Sequence, residues 1–368
     1  MAIALLTNYL TGYRVPLYER LAERYGVEVL CYGGGERYVP SWFSDLDAQL
    51  EAAPFPARRI GGPAAALGLA RRYEAAIAPF AGGAMLPATY AGMHRARHPF
   101  VLWASVWERP RSRSHALASP AIRRIYRHSD AVVAYGEHVK RFVASIRGHD
   151  DDVFVAPQSV EPELFGRAVA ESEISSFRRQ NGLGDGPLVL YVGRLAPEKG
   201  ISVLLAAWRS LRVPATLVVI GEGPLSGAVV ATGRGAGGPV RLLSPRPRIE
   251  LPVAYAAAEF TVLASIPTPR FKEPWGLVCN ESMHQGRAVI ASDAVGAAAG
   301  GLVRDADTGL VVPAGDPVAL RSSIERLLTD RPLRARLGAA AKRAVVPFNY
   351  DAMADAFGDA LRAAAAID

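Results

Sequence analysis

Two glutamates eight positions apart, Glu273 and Glu281, punctuate the stretch FKEPWGLVCNESMHQGRAVIASDAVG, residues 271–296. Pro274–Trp275–Gly276 reads as a helix start, which puts Glu273 at the mouth of that helix and Glu281 two turns along it. Eight helical residues rise about 12 Å, enough to span a ligand with hydroxyls at both ends and phosphates between. Glu281 would accept hydrogen bonds from a ribose diol and Glu273 from the hydroxyls of a sugar. The helix N-terminus would supply positive potential to the phosphates, and Gly276 would let them come close to the backbone. Solvated surface charge is the plainer alternative for either carboxylate alone.

A second constellation lies upstream, in LVLYVGRLAPEKGISVLLAAW, residues 188–208. A buried strand ends at Gly193, a loop carries Arg194 and Lys199, and a helix begins near Gly200. The planar fork of Arg194 and the point charge of Lys199 together suit a diphosphate. Cations between a strand and a helix are also common without any ligand.

Short aliphatic runs alternate with helix-length segments through nearly the whole chain. AIALLTN, VEVLCYG, EAAIAPF, FVLWAS, AVVAYG and VFVAPQ occupy the first half. LVLYVGR, TLVVIGEG, VRLLS, FTVLAS, AVIAS and LVVPAGD restart the pattern in the second. Continuous apolar runs indicate strands covered on both faces, hence parallel sheets of the α/β class. At 368 residues the chain suits two domains. The polar, Gly-rich stretch around 160–187 reads as their seam, which gives two doubly wound, Rossmann-like domains over 1–165 and 170–347. NYDAMADAFGDALRAAAAID closes the chain as one amphipathic helix within 348–368. Ligands of such sheets sit at the carboxyl ends of the strands.

Lys+Arg exceeds Asp+Glu by seven, and of 42 basic residues only Lys140, Lys199, Lys272 and Lys342 are lysines. The balance favours anionic partners. Aromatic interleaving of the kind that stacks bases is sparse, which argues against nucleic acid. Cys31 and Cys279 are the only cysteines and read as buried free thiols, consistent with a reducing cytosol. MAIALLTNYL is too short and too polar to be a membrane span or export signal. The expectation is a cytoplasmic protein, soluble or lying on the inner face of the membrane.

The order GRLAPEKG, EPWGLVCNE, GRAVIASDAVG, DTGLVVPAGD resembles the retaining glycosyltransferases of family 4, which have the two-domain GT-B fold. PQSVEPELF, VVIGEGP and SPRPRIELPVAYAAAEFTVLAS fit the same order, and Glu273 and Glu281 meet the family's E-x7-E spacing. The resemblance implies two Rossmann-like domains facing across a cleft, with the C-terminal helix crossing back to the first. It implies that Arg194 and Lys199 hold the donor diphosphate, that Glu281 binds the ribose, and that Glu273 contacts the donor sugar. Gly193, Gly276, Leu277 and Val278 would line the phosphate and sugar, and the Arg248–Ile249 turn the nucleobase. The implied reaction moves a hexose from a nucleotide diphosphate sugar, UDP- or GDP-linked, to an acceptor hydroxyl, with retention and without cofactor or metal. The acceptor would be a polysaccharide or lipid-linked precursor or a small natural product. An epimerase or hydrolase on the same fold, or a silent binding subunit, stays open beside it.

One departure stands out. Many relatives carry a histidine at the end of the first-domain strand that here runs FVLWASVWERP, and Ser105 takes that place, with Trp107 and Glu108 beyond. The usual contact to a donor sugar hydroxyl would then be missing or remade. Ser105 and Glu108 are candidate acceptor-side residues, as is Gly12 in TNYLTGYRVP after the first strand, where close approach to substrate and a plain turn both fit. GHDDDVFV, residues 148–155, offers aspartates for a metal but reads as a solvated loop. The seven histidines show no metal-ligand spacing; His115, His128, His138 and His284 read as surface or helix residues. Gly221 and Gly223 lack the third glycine of a dinucleotide fingerprint. The basic tract 109–128 suits either an anionic membrane surface or an ordinary arginine-rich helix.

Overall fold

Parallel strands buried on both faces are what the apolar runs form. The structure, a computed structural model, describes residues 2–33, 46–80, 83–109, 113–235, 237–269 and 271–365, with backbone alone for 113–118 and 234–235. The chain divides into two units, residues 1–158 with 349–368 and residues 159–348.

In the first unit the strands are β1 (Ile3–Thr7), β2 (Val27–Cys31), β3 (Ala57–Arg59), β4 (Ala75–Pro79), β5 (Phe100–Ala104), β6 (Ala131–Ala134) and β7 (Val153–Val155). They form one parallel sheet in the order β3-β2-β1-β4-β5-β6-β7. Successive side chains leave a strand on opposite faces. Ile3 and Leu5 thus join one core with Val27, Val29, Leu17 and Trp103, while Ala4 and Leu6 join the other with Leu30, Leu102 and Tyr126. The helix Tyr350–Ala363 completes the first of these cores through Met353, Phe357 and Leu361. Asn349 caps it, its side chain accepting from the Ala352 N–H at 2.9 Å.

In the second unit the strands are β8 (Leu188–Val192), β9 (Thr216–Ile220), β10 (Arg234–Gly235), β11 (Gly238–Leu243), β12 (Phe260–Leu263), β13 (Ala288–Ser292) and β14 (Gly309–Val312). Their order is β10-β11-β9-β8-β12-β13-β14, parallel except for the β10–β11 pair. The strand order reverses direction at β8, so β8 and β12 flank a topological switch point.

Polarity misplaces the seam. Val160, Phe165 and Leu183 are buried in the core of the second unit, with Leu190, Val218 and Tyr255. The division therefore falls after Gln158 and not at 165. The short edge strand β3 also escapes the sequence, because its residues Ala57–Arg59 carry no apolar run.

Candidate functional site

The loops at the carboxyl ends of β8, β9 and β12 build the site. After β8 the chain turns at Gly193, whose φ of 147° suits glycine. Tyr191, fully buried in β8, donates its hydroxyl to the Arg194 carbonyl at 2.9 Å and fixes that loop from beneath. Arg194 pairs with Glu198 at 2.8 Å, with its side chain still over a third exposed. Gly221 and Gly223, after β9, have positive φ, and a Cβ on either would collide with the backbone of Gly193 or Leu195. Their task is to seat the Arg194 loop.

Lys199 ends a single 3-10 turn, Pro197–Lys199, and Gly200 follows it with a φ of 69°. A Cβ on Gly200 would strike the Ala264 carbonyl oxygen just past β12, so the Lys199 turn lies hard against that strand end. Beside Ala264, Ser265 is fully buried and donates its hydroxyl to Glu273 Oε2 at 3.0 Å. Lys199 Nζ forms an ion pair with the same oxygen. Lys199 also lies 5.5 Å from the centre of the Phe271 ring.

Glu273 and Glu281 do not lie along one helix. Glu273 sits in an extended bridge with Val295, and its carbonyl accepts from the Gly296 N–H at 3.1 Å. Gly276, at a φ of 97°, breaks the path, and the helix runs only from Val278 to His284. Trp275 holds the break, its indole N–H donating to Asn280 Oδ1 at 2.7 Å. Glu281 is thus in the first turn, and Leu277 stands at an N-cap with no side-chain hydrogen bond. The helix expected from Pro274, with its rise of about 12 Å between the glutamates, does not form; the left-handed Gly276 delays the helix by a turn. Gly276 itself answers to packing, since a Cβ there would press on Leu263 and Val295.

Glu281 is buried, and Tyr255, fully buried on the helix Leu251–Ala257, donates its hydroxyl to Glu281 Oε2 at 2.5 Å. Burial pushes the Glu281 carboxyl up from its ordinary range, while the Tyr255 hydrogen bond and the Arg248 charge oppose that shift. Burial pushes the Cys279 thiol up too, joined by the charges of Glu273 and Glu281 and opposed by that of Lys199. Arg248, in the turn Arg248–Glu250, clamps Glu161 with both Nη atoms, one at 2.7 Å, and lies 5.4 Å from the centre of the Phe165 ring. Its neighbour Ile249 is 64% exposed. Tyr191, Tyr255, Ser265 and Glu161 gave no signal in the sequence, since an apolar run hides a buried tyrosine's hydroxyl.

In the first unit, Ser105 and Glu108 lie half-buried in the loop after β5. Between them the Trp107 ring meets His138 edge-on, with centroids 5.0 Å apart. Gly12 follows β1, and a Cβ there would meet nothing within 4 Å, so nothing in the backbone demands glycine. The nearest built feature is Arg14, buried among Tyr13, Trp103 and Tyr135 and donating to Gln158 Oε1 at 2.8 Å and to the Tyr135 hydroxyl at 2.9 Å. The acidic run is tied into local pairs, Asp150 with Lys140 at 3.4 Å and Asp152 with Arg147 at 3.7 Å. No three His, Cys, Asp or Glu side chains cluster as metal ligands among the described residues. His138 and His284 are helical but buried, not superficial. The basic tract forms the helix Arg113–His128, anchored by Ile125 and Tyr126; residues 110–112 and the side chains of 113–118, His115 included, lie outside the described residues. No described helix is long and apolar enough to cross a membrane.

Comparison with known proteins bears on this arrangement. Residues 173–344 match the family model of glycosyl transferases group 1. The D-inositol 3-phosphate glycosyltransferase of Stackebrandtia nassauensis is 31% identical over 257 residues, covering 64% of this chain and 55% of that protein. The alpha-D-kanosaminyltransferase of Streptomyces kanamyceticus is 32% identical over 180 residues, 48% of this chain and 45% of its own. The chain spans about half the length of the curated relatives it matches. Among solved structures, Anabaena Alr3699/HepE in complex with UDP has a TM-score of 0.80 at 20% identity, over 98% of this chain and 100% of that one. At that identity the likeness establishes architecture: the chain has the GT-B fold, and its second unit carries the sequence pattern of glycosyl transferases group 1.

Proposed function

We propose that the chain is a glycosyltransferase that takes a hexose from a nucleotide diphosphate sugar and delivers it to an acceptor hydroxyl. The observation that carries this reading is the meeting of Lys199, Ser265 and Glu273 at the carboxyl ends of β8 and β12. Open α/β sheets bind their ligands at such a switch point. Support comes also from the group 1 family match and from a structural neighbour solved with UDP and with UDP-glucose.

In the proposed complex Lys199 and Arg194 hold the diphosphate, with Gly193 letting the backbone approach. Glu281 accepts from the ribose diol, and Arg248–Ile249 borders the base. Glu273 accepts from the sugar hydroxyls near the anomeric carbon, beside the backbone of Gly276, Leu277 and Val278. Breaking the anomeric C–O bond leaves positive charge on the ring and negative charge on the departing diphosphate. Lys199 and Arg194 meet the second charge and Glu273 the first, a pre-set field for that transition state. With a helix of only seven residues behind Leu277, the two side-chain cations carry more of this stabilisation than the helix dipole. The reaction is proposed to retain anomeric configuration, as the E-x7-E resemblance implies, and to need no divalent metal. An acceptor near Ser105 and Glu108, and attachment to an anionic membrane in the cytoplasm, belong to the same proposal.

Product analysis tests it. The chain is incubated with UDP- and GDP-sugars and hydroxyl acceptors, with and without EDTA, and the anomer of the product is read by NMR. Transfer with retention that survives chelation is expected. Epimerised or hydrolysed donor alone, or binding without turnover, would contradict it.

A further inference from the structure

A carboxylate that must bind a ribose diol needs more than the right position. A glutamate has three rotatable bonds, and one buried with no partner lowers its energy by taking up a proton. Glu281 meets both problems in a single contact. The Tyr255 hydroxyl donates to its Oε2 at 2.5 Å, and that phenol is set in a packed cluster. Tyr255 is fully buried on the helix Leu251–Ala257 and packed edge-on against Phe165, with ring centroids 6.4 Å apart. Phe165 is in turn covered by Arg248, itself clamped to Glu161. Leu277 and Val278, which open the short helix carrying Glu281, pack on the same cluster.

Two of the charged groups in this chain also act on the carboxylate directly. Arg248 favours its ionised form, and Glu161 opposes it. Because Arg248 and Glu161 neutralise each other, the hydrogen bond from Tyr255 is the dominant local support for the charged form. Burial and the Glu281 charge push the Tyr255 hydroxyl well above its ordinary range, so it stays protonated and can only donate to this partner.

We propose that Tyr255 is a positioning residue for nucleotide recognition: it occupies Oε2 of Glu281 and thereby presents Oε1 to the 2′- and 3′-hydroxyls of a bound nucleotide. The selectivity for ribose then belongs to the pair, not to the glutamate alone. This rests on the ribose reading of Glu281 given above. Tyr255 touches no substrate; it acts through the carboxylate it holds.

Isothermal titration separates this from a packing role. The wild-type chain, Tyr255→Phe, Glu281→Gln and the double variant are each titrated with UDP, GDP and the 2′,3′-dideoxy forms of both. With whichever base binds tighter, the wild type is expected to prefer the ribose form by on the order of tenfold, the scale of one charge-assisted hydrogen bond. Tyr255→Phe should lose most of that preference while its affinity for the dideoxy form moves less than twofold, and the double variant should match Glu281→Gln. If Tyr255→Phe keeps the preference, or weakens both forms equally, the positioning role fails and the ribose reading survives. If the wild type shows no preference, or binds none of these nucleotides, the ribose reading fails and takes the positioning role with it. A crystal structure of the wild-type chain with the tighter nucleotide reads the same claim without a substitution: Oε2 remains on the phenol and Oε1 meets the diol. A phenol that releases the carboxylate on binding would overturn it.

Discussion

Lys199 and Glu273, 74 residues apart in sequence, form an ion pair whose side chains are 17% and 7% exposed, with Ser265 donating to the same carboxylate oxygen. A pair this buried is held by geometry, since desolvation offsets much of the Coulomb attraction. Each partner also has a second use on the proposed reading. Lys199 and Glu273 neutralise one another as a pair; on that reading a donor's diphosphate would draw on Lys199 while its sugar hydroxyls draw on Glu273.

Glu273→Gln keeps the shape and removes the charge. Turnover should fall by about a hundredfold or more, on the order of 3 kcal/mol of transition-state stabilisation. Lys199 is left buried without its counter-ion, so stability should drop by about 1–3 kcal/mol. Initial rates and urea unfolding measure the two effects. Unchanged rates would remove Glu273 from the chemistry.

Gly200→Ala tests how Lys199 is placed. The added Cβ would meet the Ala264 carbonyl, and the left-handed φ of 69° adds strain. A loss of roughly 1–3 kcal/mol is expected, with turnover falling beyond what the unfolded fraction explains. A variant of normal stability and normal rate would show that the Lys199 turn tolerates displacement.

The first-order plan was legible because apolar runs are long and local. Twelve of the fourteen strands among the described residues coincide with runs such as LVLYV and AVIAS; β3, with the sequence ARR, and the two-residue β10 carry no such signal. The cations after β8 and the paired glutamates stood out as charges in apolar company. What stayed hidden depends on backbone path and side-chain depth. A helix-start signal at Pro274 gave no warning that Gly276 would turn left-handed, and Tyr255 looked like one more core aromatic until its hydroxyl had a partner. Polarity drew the seam near 165 because three buried anchors, Val160, Phe165 and Leu183, are spread among charged residues.

His284 should make the second unit sensitive to acid. It is buried on the helix Val278–His284, its Nε2 has no hydrogen-bond partner among the described residues, and burial lowers its pKa to about 4 from 6.5, with Glu163 opposing and Lys342 adding to the shift. The unfolded chain takes up the proton near 6.5 and the native chain only near 4. Stability is therefore complete above the unfolded value and is lost as pH falls between the two, at about 1.4 kcal/mol per unit at most. Between roughly pH 7.5 and 5 the wild type should lose about 1–2 kcal/mol more than His284→Phe in urea unfolding. Parallel losses in the two proteins would assign the acid sensitivity elsewhere.

Phe357 locks the C-terminal helix into the first unit, fully buried and edge-on to Trp103 with centroids 5.1 Å apart. Phe357→Ala should cost about 3–5 kcal/mol, read by denaturant unfolding. A cost under about 1 kcal/mol would mean that the helix contributes little to that core.

Calorimetric titration of UDP and GDP into the wild-type chain, Lys199→Ala and Glu281→Ala tests the central claim most directly. One of the two nucleotides should bind the wild type, and each substitution should weaken that binding by about tenfold or more. Wild-type affinity in both variants would contradict the proposed donor site.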